Sequence, residues 1–283
     1  MDQNIKLKIS RKNNQYEYNK IYILTYYKKN DTHIINLIQK KCFIENSNNK
    51  FIEEVHILGE NLLQELKEIT HIKNIVLHET SSSSNLTYYD LLSYSNSLFS
   101  NNIVCILRSD IILPNQPDLE PIQINLLHEK NEIYCLSRIE HLMNGTLMKY
   151  DKLNRIFYAT EQDAWIFKNP ININDIGLES LKSIFFYNKY SELQFNYILK
   201  NNNCNLINDT RKYKILRILH ENNLESRLLL NDTNIKVEEM KNIYILPDND
   251  SFHKLSIQDL VKSLEIDEKE LYFIKCELFN IGR

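Results

Sequence analysis

The side chains with the most chemical potential in this chain are carboxylates and arginines set beside short apolar runs. Asp110 follows the run Asn102 to Leu107 (NIVCIL), with Arg108 between them. A carboxylate there can supply one ligand group to a divalent ion, although an isolated Asp after a strand is often a turn or cap residue. Arg108 can grip a phosphate bidentately, or sit in a solvent-exposed ion pair. Asp163 precedes a second apolar run, Ala164 to Phe167 (AWIF), so a rigid element would hold it. A carboxylate so held can take a proton from a hydroxyl; its other reading is a turn residue or a partner for Arg138. Glu161, two residues earlier, is an alternative base or a solvated loop residue. Glu192 lies in the first turn of a helix that Ser191 can cap, where a carboxylate also suits the helix dipole. His220 ends the segment from Lys212 to Leu219 and could ligate a metal, though a lone histidine is often structural. Trp165, the one tryptophan, could stack on a sugar or base, but inside an apolar run the core reading is preferred.

Positioning these groups requires a sheet. Tyr22 to Thr25 reads as a first strand. Asp31 is a candidate N-cap for a helix with Ile34, Ile35, Leu37, Ile38 and Cys42 at helical spacing. Glu54 to Leu58 is a second strand ended by Gly59, and Leu62, Leu63 and Leu66 suggest a short helix. Asn74 to Leu77 is a third strand, followed by a serine run, Ser81 to Ser84, read as a loop. Thr87 can cap a helix with Tyr88, Leu91, Leu92, Ser95 and Leu98 on one face. Asn102 to Leu107 has the continuous apolar character of a strand buried on both faces. The alternation predicts parallel βαβ units with right-handed crossovers, whose ligands sit beyond the carboxyl ends of the strands. The second half adds strands at Glu132 to Leu136, Ala164 to Phe167 and Asn205 to Ile207, a helix from Ser191 to about Lys200, and an apolar run ending at His220. The expectation is therefore an α/β fold with a mostly parallel central sheet flanked by helices. Residues 1–230 form its main domain, and 231–283 a small, more acidic accessory element, assigned to packing or a homodimer contact.

Composition removes several function classes. The net charge is −3, which argues against a duplex nucleic acid as partner. No apolar run reaches the roughly 18 residues of a membrane span, and the polar start lacks a signal-peptide core; a cytoplasmic location is expected. The five cysteines are odd in number and scattered, which fits buried thiols of a reducing compartment. The four glycines, Gly59, Gly145, Gly177 and Gly282, are far apart. Neither a dinucleotide-binding glycine turn nor a P-loop can be built from them, so a bound nucleotide must be held by side chains and metal. A methyltransferase would need such a turn where Tyr26, Tyr27, Lys28 and Lys29 stand.

Three stretches in order carry a family resemblance. The first is Thr87-Tyr88, a helix, then Asn102 to Ile112 (NIVCILRSDII). The second is Leu136-Ser137-Arg138 followed by Glu161 to Phe167 (EQDAWIF). The third is Ser191-Glu192 followed by Leu216 to His220 (LRILH). Together they resemble a family of GT-A-like glycosyltransferases of microbes and large viruses, with N-x-D-I, L-T/S-R, S-Q-D-x-W-I-F, G-C-D-N and H-L-H elements. The resemblance covers roughly residues 22–227, and the run Gln162 to Phe167 is its most distinctive piece.

The resemblance implies a GT-A fold and transfer of a sugar from a nucleotide-sugar donor to a glycan, protein or small-molecule acceptor. It implies a divalent ion, Mn²⁺ or Mg²⁺, held by Asp110 and His220. Thr25, Arg108, Asp110, Arg138, Tyr88 and Trp165 become donor-binding candidates, and Asp163, Glu161 and Glu192 catalytic ones. Three departures stand out. Arg108 replaces the family's Asn, where general GT-A enzymes carry the first Asp of D-x-D. Ser191-Glu192-Leu193 replaces Cys-Asp-Asn, and Asn222 stands where the second histidine would be. They predict weak or dispensable metal dependence, and they leave open a degenerate transferase kept as a binding or assembly module.

Overall fold

The computed structural model describes residues 20–80, 86–113, 119–128, 131–142, 162–188, 191–209, 213 and 215–219. The chain begins there with β1 (Ile21–Tyr26), α1 (His33–Ser47) and β2 (Ile52–Gly59). A short helix α2 (Leu62–Glu65) and a 3-10 turn lead to β3 (Ile75–Glu79), then α3 (Tyr88–Leu98) and β4 (Ile103–Leu107). Next come β5 (Ile111–Ile112), α4 (Leu119–His128), β6 (Glu132–Leu136), β7 (Arg138–Leu142) and β8 (Ala164–Lys168). Two helices, α5 (Asp175–Leu181) and α6 (Ser191–Asn201), precede β9 (Asn205–Ile207) and β10 (Ile215–Leu219).

Seven strands form the central sheet in the order β3-β2-β1-β4-β8-β6-β9. The α/β class with a mostly parallel sheet, expected from the alternation of elements, is the architecture adopted. β8 departs from it by running antiparallel to both β4 and β6. An isolated apolar run does not reveal strand direction, because burial alone sets its composition. The order reverses between β1 and β4, whose connections leave toward opposite edges, so the crevice at their carboxyl ends is the topological switch point.

Alternation along the strands divides the core in two. Ile21, Ile23, Ile103, Cys105, Leu107, Ala164 and Ile166 face one layer with Phe43 of α1 and Ile122 and Leu126 of α4. Leu24, Tyr26, Val104, Ile106, Trp165 and Phe167 face the other, with Tyr88, Leu91 and Leu92 of α3, Leu181 of α5 and Phe195 and Leu199 of α6. Every residue of β4 is buried, as its unbroken apolar run predicts for a strand covered on both faces. Gly59 ends β2 where a Cβ would lie 2.6 Å from the carbonyl oxygen of Tyr27, so only glycine admits that approach.

Helix starts agree in part with the sequence. Thr87 caps α3 in a reciprocal box with Asp90: its Oγ1 accepts from the Asp90 N–H, while Asp90 Oδ2 accepts from the Thr87 N–H at 2.8 Å. Asp31 is not the cap of α1; Thr32 occupies that position. The second sheet was not anticipated. Its order is β5-β10-β7, and it stitches the segments after Asp110 and Ser137 to the run before His220. The serine run and residues 220–283, including His220 and the accessory element, lie outside the described residues, as does Glu161.

Candidate functional site

The register of the two sheets brings the three matched segments to one edge. Leu107 ends β4 opposite Ala164, and Leu136 ends β6 opposite the same Ala164. Because β8 is antiparallel, the residue before it lies at the carboxyl edge of its neighbours. Asp163 is thus clamped between Arg108 and Arg138. Its carbonyl accepts from the Arg108 N–H at 3.1 Å, and its own N–H donates to the Leu136 carbonyl at 2.9 Å.

The inner half of the site is a sealed ion pair. Asp163 is 0% exposed and Arg138 3%. Nη1 of Arg138 donates to both carboxylate oxygens of Asp163, at 2.8 and 2.9 Å, and the Arg138 backbone N–H lies 3.3 Å from Oδ2. Nε of Arg108 is 3.4 Å from Asp163 Oδ1. The sequence allowed Asp163 as catalytic base or as partner of Arg138, and the two side chains do pair.

The outer half is partly open. The side chains of Arg108, Arg217, Asp110 and Glu192 are 19%, 16%, 15% and 13% exposed. Arg108 Nε lies 3.3 Å from Asp110 Oδ1, and its Nη1 is 3.7 Å from Glu192 Oε1 at the start of α6. Burial works against the Arg108 charge, but Asp110 and Asp163 more than offset it and raise its pKa above the ordinary value. Arg217 enters from β10, whose residue 217 pairs with Ile111 directly after Asp110. Its Nε donates to Asp110 Oδ2 at 2.7 Å.

Tyr187 braces this edge. It precedes α6 with φ of 76°, a conformation rarely adopted by a bulky residue. Its hydroxyl accepts from the Ser109 N–H at 2.7 Å and lies 3.2 Å from the carbonyl of Tyr26 at the end of β1. The Arg108 guanidinium stacks over its ring at 4.9 Å. Gln39 of α1 donates to Ser109 Oγ at 2.8 Å. The two sides of the switch-point crevice, β1 and β4, are thereby tied through one phenol. Burial raises the pKa of that phenol further, with the Asp110 charge adding to it.

Three donor-binding expectations fall inside the protein. Trp165 is 0% exposed; its Nε1 donates to Asn196 Oδ1 at 3.0 Å, and Asn196 Nδ2 donates to Gln162 Oε1 at 2.7 Å. Tyr88 is equally buried, stacked on Phe195 at 4.2 Å and edge-on to Trp165 at 5.5 Å. Both are core residues of the α3/α6 layer and offer no ring face to a ligand. Thr25 is 1% exposed, and its Oγ1 has no hydrogen-bond partner among the described residues.

Arg217, Tyr187 and Ser109 were not singled out from the sequence. A signal for Arg217 existed: a charge in the middle of the apolar run Ile215 to Leu219 needs a buried or half-buried partner. Tyr187 had none, since its role depends on a turn that brings it back across the sheet.

The fit of a divalent ion to Asp110 can be judged from its partners. Both carboxylate oxygens face guanidinium nitrogens, at 3.3 and 2.7 Å. Unit charges about 4 Å apart interact by about 4 kcal/mol at an effective dielectric of about 20. A doubly charged ion would meet roughly twice that repulsion from each arginine. Among the described residues, no cluster of three or more His, Cys, Asp or Glu side chains is spaced to hold a metal. The described residues therefore do not fit a divalent ion at Asp110 as arranged.

No protein-family model matches the chain, and no match was found among curated proteins. Solved structures similar to it include GalNAc-T7 with UDP, GalNAc and Mn²⁺, at 8% identity over 72% of this chain and 45% of that one, TM-score 0.48. The mannosyltransferase PcManGT from Pyrobaculum calidifontis, in complex with GDP-Man and Mn²⁺, matches at 10% identity over 71% and 56%, TM-score 0.45. S. aureus TarS 1–349 matches at 12% identity over 70% and 60%, TM-score 0.43. The chain spans about half the length of these structures, between 45% and 60%.

Proposed function

We propose that this chain is a nucleotide-sugar-dependent glycosyltransferase of the GT-A type. The observation that carries the reading is convergence. Arg108 and Asp110, Arg138 and Asp163, and Glu192 and Arg217 come from the three separate segments of the family resemblance. They meet at the carboxyl edge of the sheet, beside the β1–β4 switch point where α/β folds bind ligands.

In this reading Arg108 and Arg217 face the diphosphate of the donor and offset the charge that grows as the glycosidic bond breaks. The bond from the sugar's anomeric carbon to the diphosphate oxygen breaks, and a bond to the acceptor oxygen forms. The acceptor's proton passes to a carboxylate. Glu192 is the choice among the described residues, since its side chain is partly open, 13% exposed. Asp163 acts as a positioning residue, holding Arg138 and Arg108. Glu161 keeps its sequence-based role as alternative base; His220, the metal ligand expected from the sequence, lies outside the described residues. Residues 231–283 remain an accessory element in this proposal, assigned to packing against the main domain or to a homodimer contact, and the setting is cytoplasmic. Among the described residues, no helix is long and apolar enough to cross a membrane.

The engagement of both oxygens of Asp110 and the sealing of Asp163 favour one second reading, a degenerate transferase retained as a binding or assembly module. A thermal-shift screen of UDP-, GDP-, CMP- and dTDP-sugars, followed by a donor-hydrolysis assay, separates the two. A shift with one nucleotide class together with turnover establishes the transferase. Well-folded protein without shift or hydrolysis establishes the degenerate module.

A further inference from the structure

We infer that Arg217, together with Arg108, takes the place of a divalent cation at the diphosphate, so that this chain binds its nucleotide without metal. The inference rests on the proposed nucleotide-sugar reading and concerns how that site is charged.

The argument starts from Asp110. A carboxylate that ligates a metal must present a lone pair to it at about 2.0–2.2 Å. Here Oδ2 already accepts from Arg217 Nε at 2.7 Å, and Oδ1 faces Arg108 Nε at 3.3 Å. Neither arrangement is accidental. Arg217 is delivered by the pairing of β10 with β5, which begins one residue after Asp110. Arg108 is fixed by its backbone bond to Asp163 and by stacking over Tyr187. A metal would have to displace two guanidinium groups that the sheet registers hold in place.

Charge gives a second, independent reason. Two carboxylates and one divalent cation sum to zero. Here Arg108, Arg138 and Arg217 set against Asp110, Asp163 and Glu192 also sum to zero, with no cation. Guanidinium is also the side chain best matched to phosphate oxygens, through planar donors in a fixed fork. With Nε of each arginine turned toward Asp110, that carboxylate orients both forks. Asp110 is therefore a positioning residue for two arginines and not a metal ligand.

The test is calorimetric titration of the full chain with UDP, GDP, CDP and dTDP, in EDTA and in Mn²⁺. In parallel, the spin-resonance signal of free Mn²⁺ is followed as protein is added. The expected result is one nucleotide that binds equally well, within twofold, in both conditions, and a free-Mn²⁺ signal unchanged by protein. Arg217→Gln should weaken that binding at least tenfold in both conditions, with Arg217→Lys recovering part of it. Arg108→Asp should make binding depend on Mn²⁺. Should Arg217→Gln fail to fold, the wild-type comparison and Arg108→Asp decide the matter. Wild-type binding that is lost in EDTA and restored by Mn²⁺ overturns this inference and leaves the transferase reading standing. No binding of any nucleoside diphosphate in either condition overturns both.

Discussion

Two polar networks border the central sheet and are built on opposite principles. At the carboxyl ends of β4 and β6 and the amino end of β8, charges are kept: Arg138, Arg108, Arg217, Asp163, Asp110 and Glu192 interlock within 4 Å. On β2 and β3, charge is expelled. His56 Nδ1 and His78 Nε2 lie 2.8 Å apart, and His56 Nε2 lies 3.0 Å from Glu54 Oε2. With both rings neutral, His78 donates to His56 and His56 donates to Glu54. A proton on His56 Nδ1 would set two donors head to head. Burial lowers the pKa of both rings, and each is packed against an aromatic side chain, His56 on Phe99 and His78 on Tyr94. The neutral pair packs the sheet like an aromatic cluster. The charged edge costs desolvation that a hydrophobic replacement would avoid.

The largest expected effect breaks the charged network from inside. Asp163→Asn removes the buried carboxylate that Arg138 and Arg108 both face, and breaking a buried pair by removing one partner typically costs about 3–5 kcal/mol. Chemical denaturation should show that loss. A variant as stable as the parent but slow in transfer would return Asp163 to the role of catalytic base.

A smaller effect is expected at the brace. Tyr187→Phe strips the buried Ser109 N–H of its acceptor, a loss of about 1–3 kcal/mol. If the brace positions Arg108, nucleotide affinity should fall along with the melting temperature. Unchanged affinity would confine Tyr187 to stability.

The smallest effect belongs to the neutral network and separates the two by pH. His56 and His78 have pKa values below the ordinary 6.5 in the folded state. The unfolded chain therefore binds more protons as pH falls through 6.5. Their stabilising contribution is complete above that value and is lost as pH drops toward the lowered folded values. The melting temperature should decline between pH 7.5 and 5.5, and the double variant His56→Gln, His78→Gln should flatten that decline. A decline untouched by the double variant would place the titration elsewhere.

Much of this was legible in the chain itself. The apolar run of β4 announced a strand covered on both faces. Thr87 announced the start of α3, and the alternation of elements announced the α/β class. These features are local: propensity, periodicity and capping act over a few residues, so the chain carries them openly. The presence of acidic and basic groups at strand ends was equally visible. Their pairing was not. Asp163 offered two readings because the choice depends on whether β8 runs parallel or antiparallel. Only the antiparallel course puts residue 163 beside Arg138 at the carboxyl edge. Trp165 and Tyr88 could have faced a ligand, and the packing of α3 and α6 turned them inward. Arg217 and Asp110 meet because a small second sheet sets β10 against β5. Strand direction, sheet register and the burial of a given face are decided by contacts between distant segments, whose free energy no local pattern records. The sequence alone thus determined which residues stand ready at the ends of the strands. The tertiary structure decided which of them neutralise one another and which remain open to a ligand.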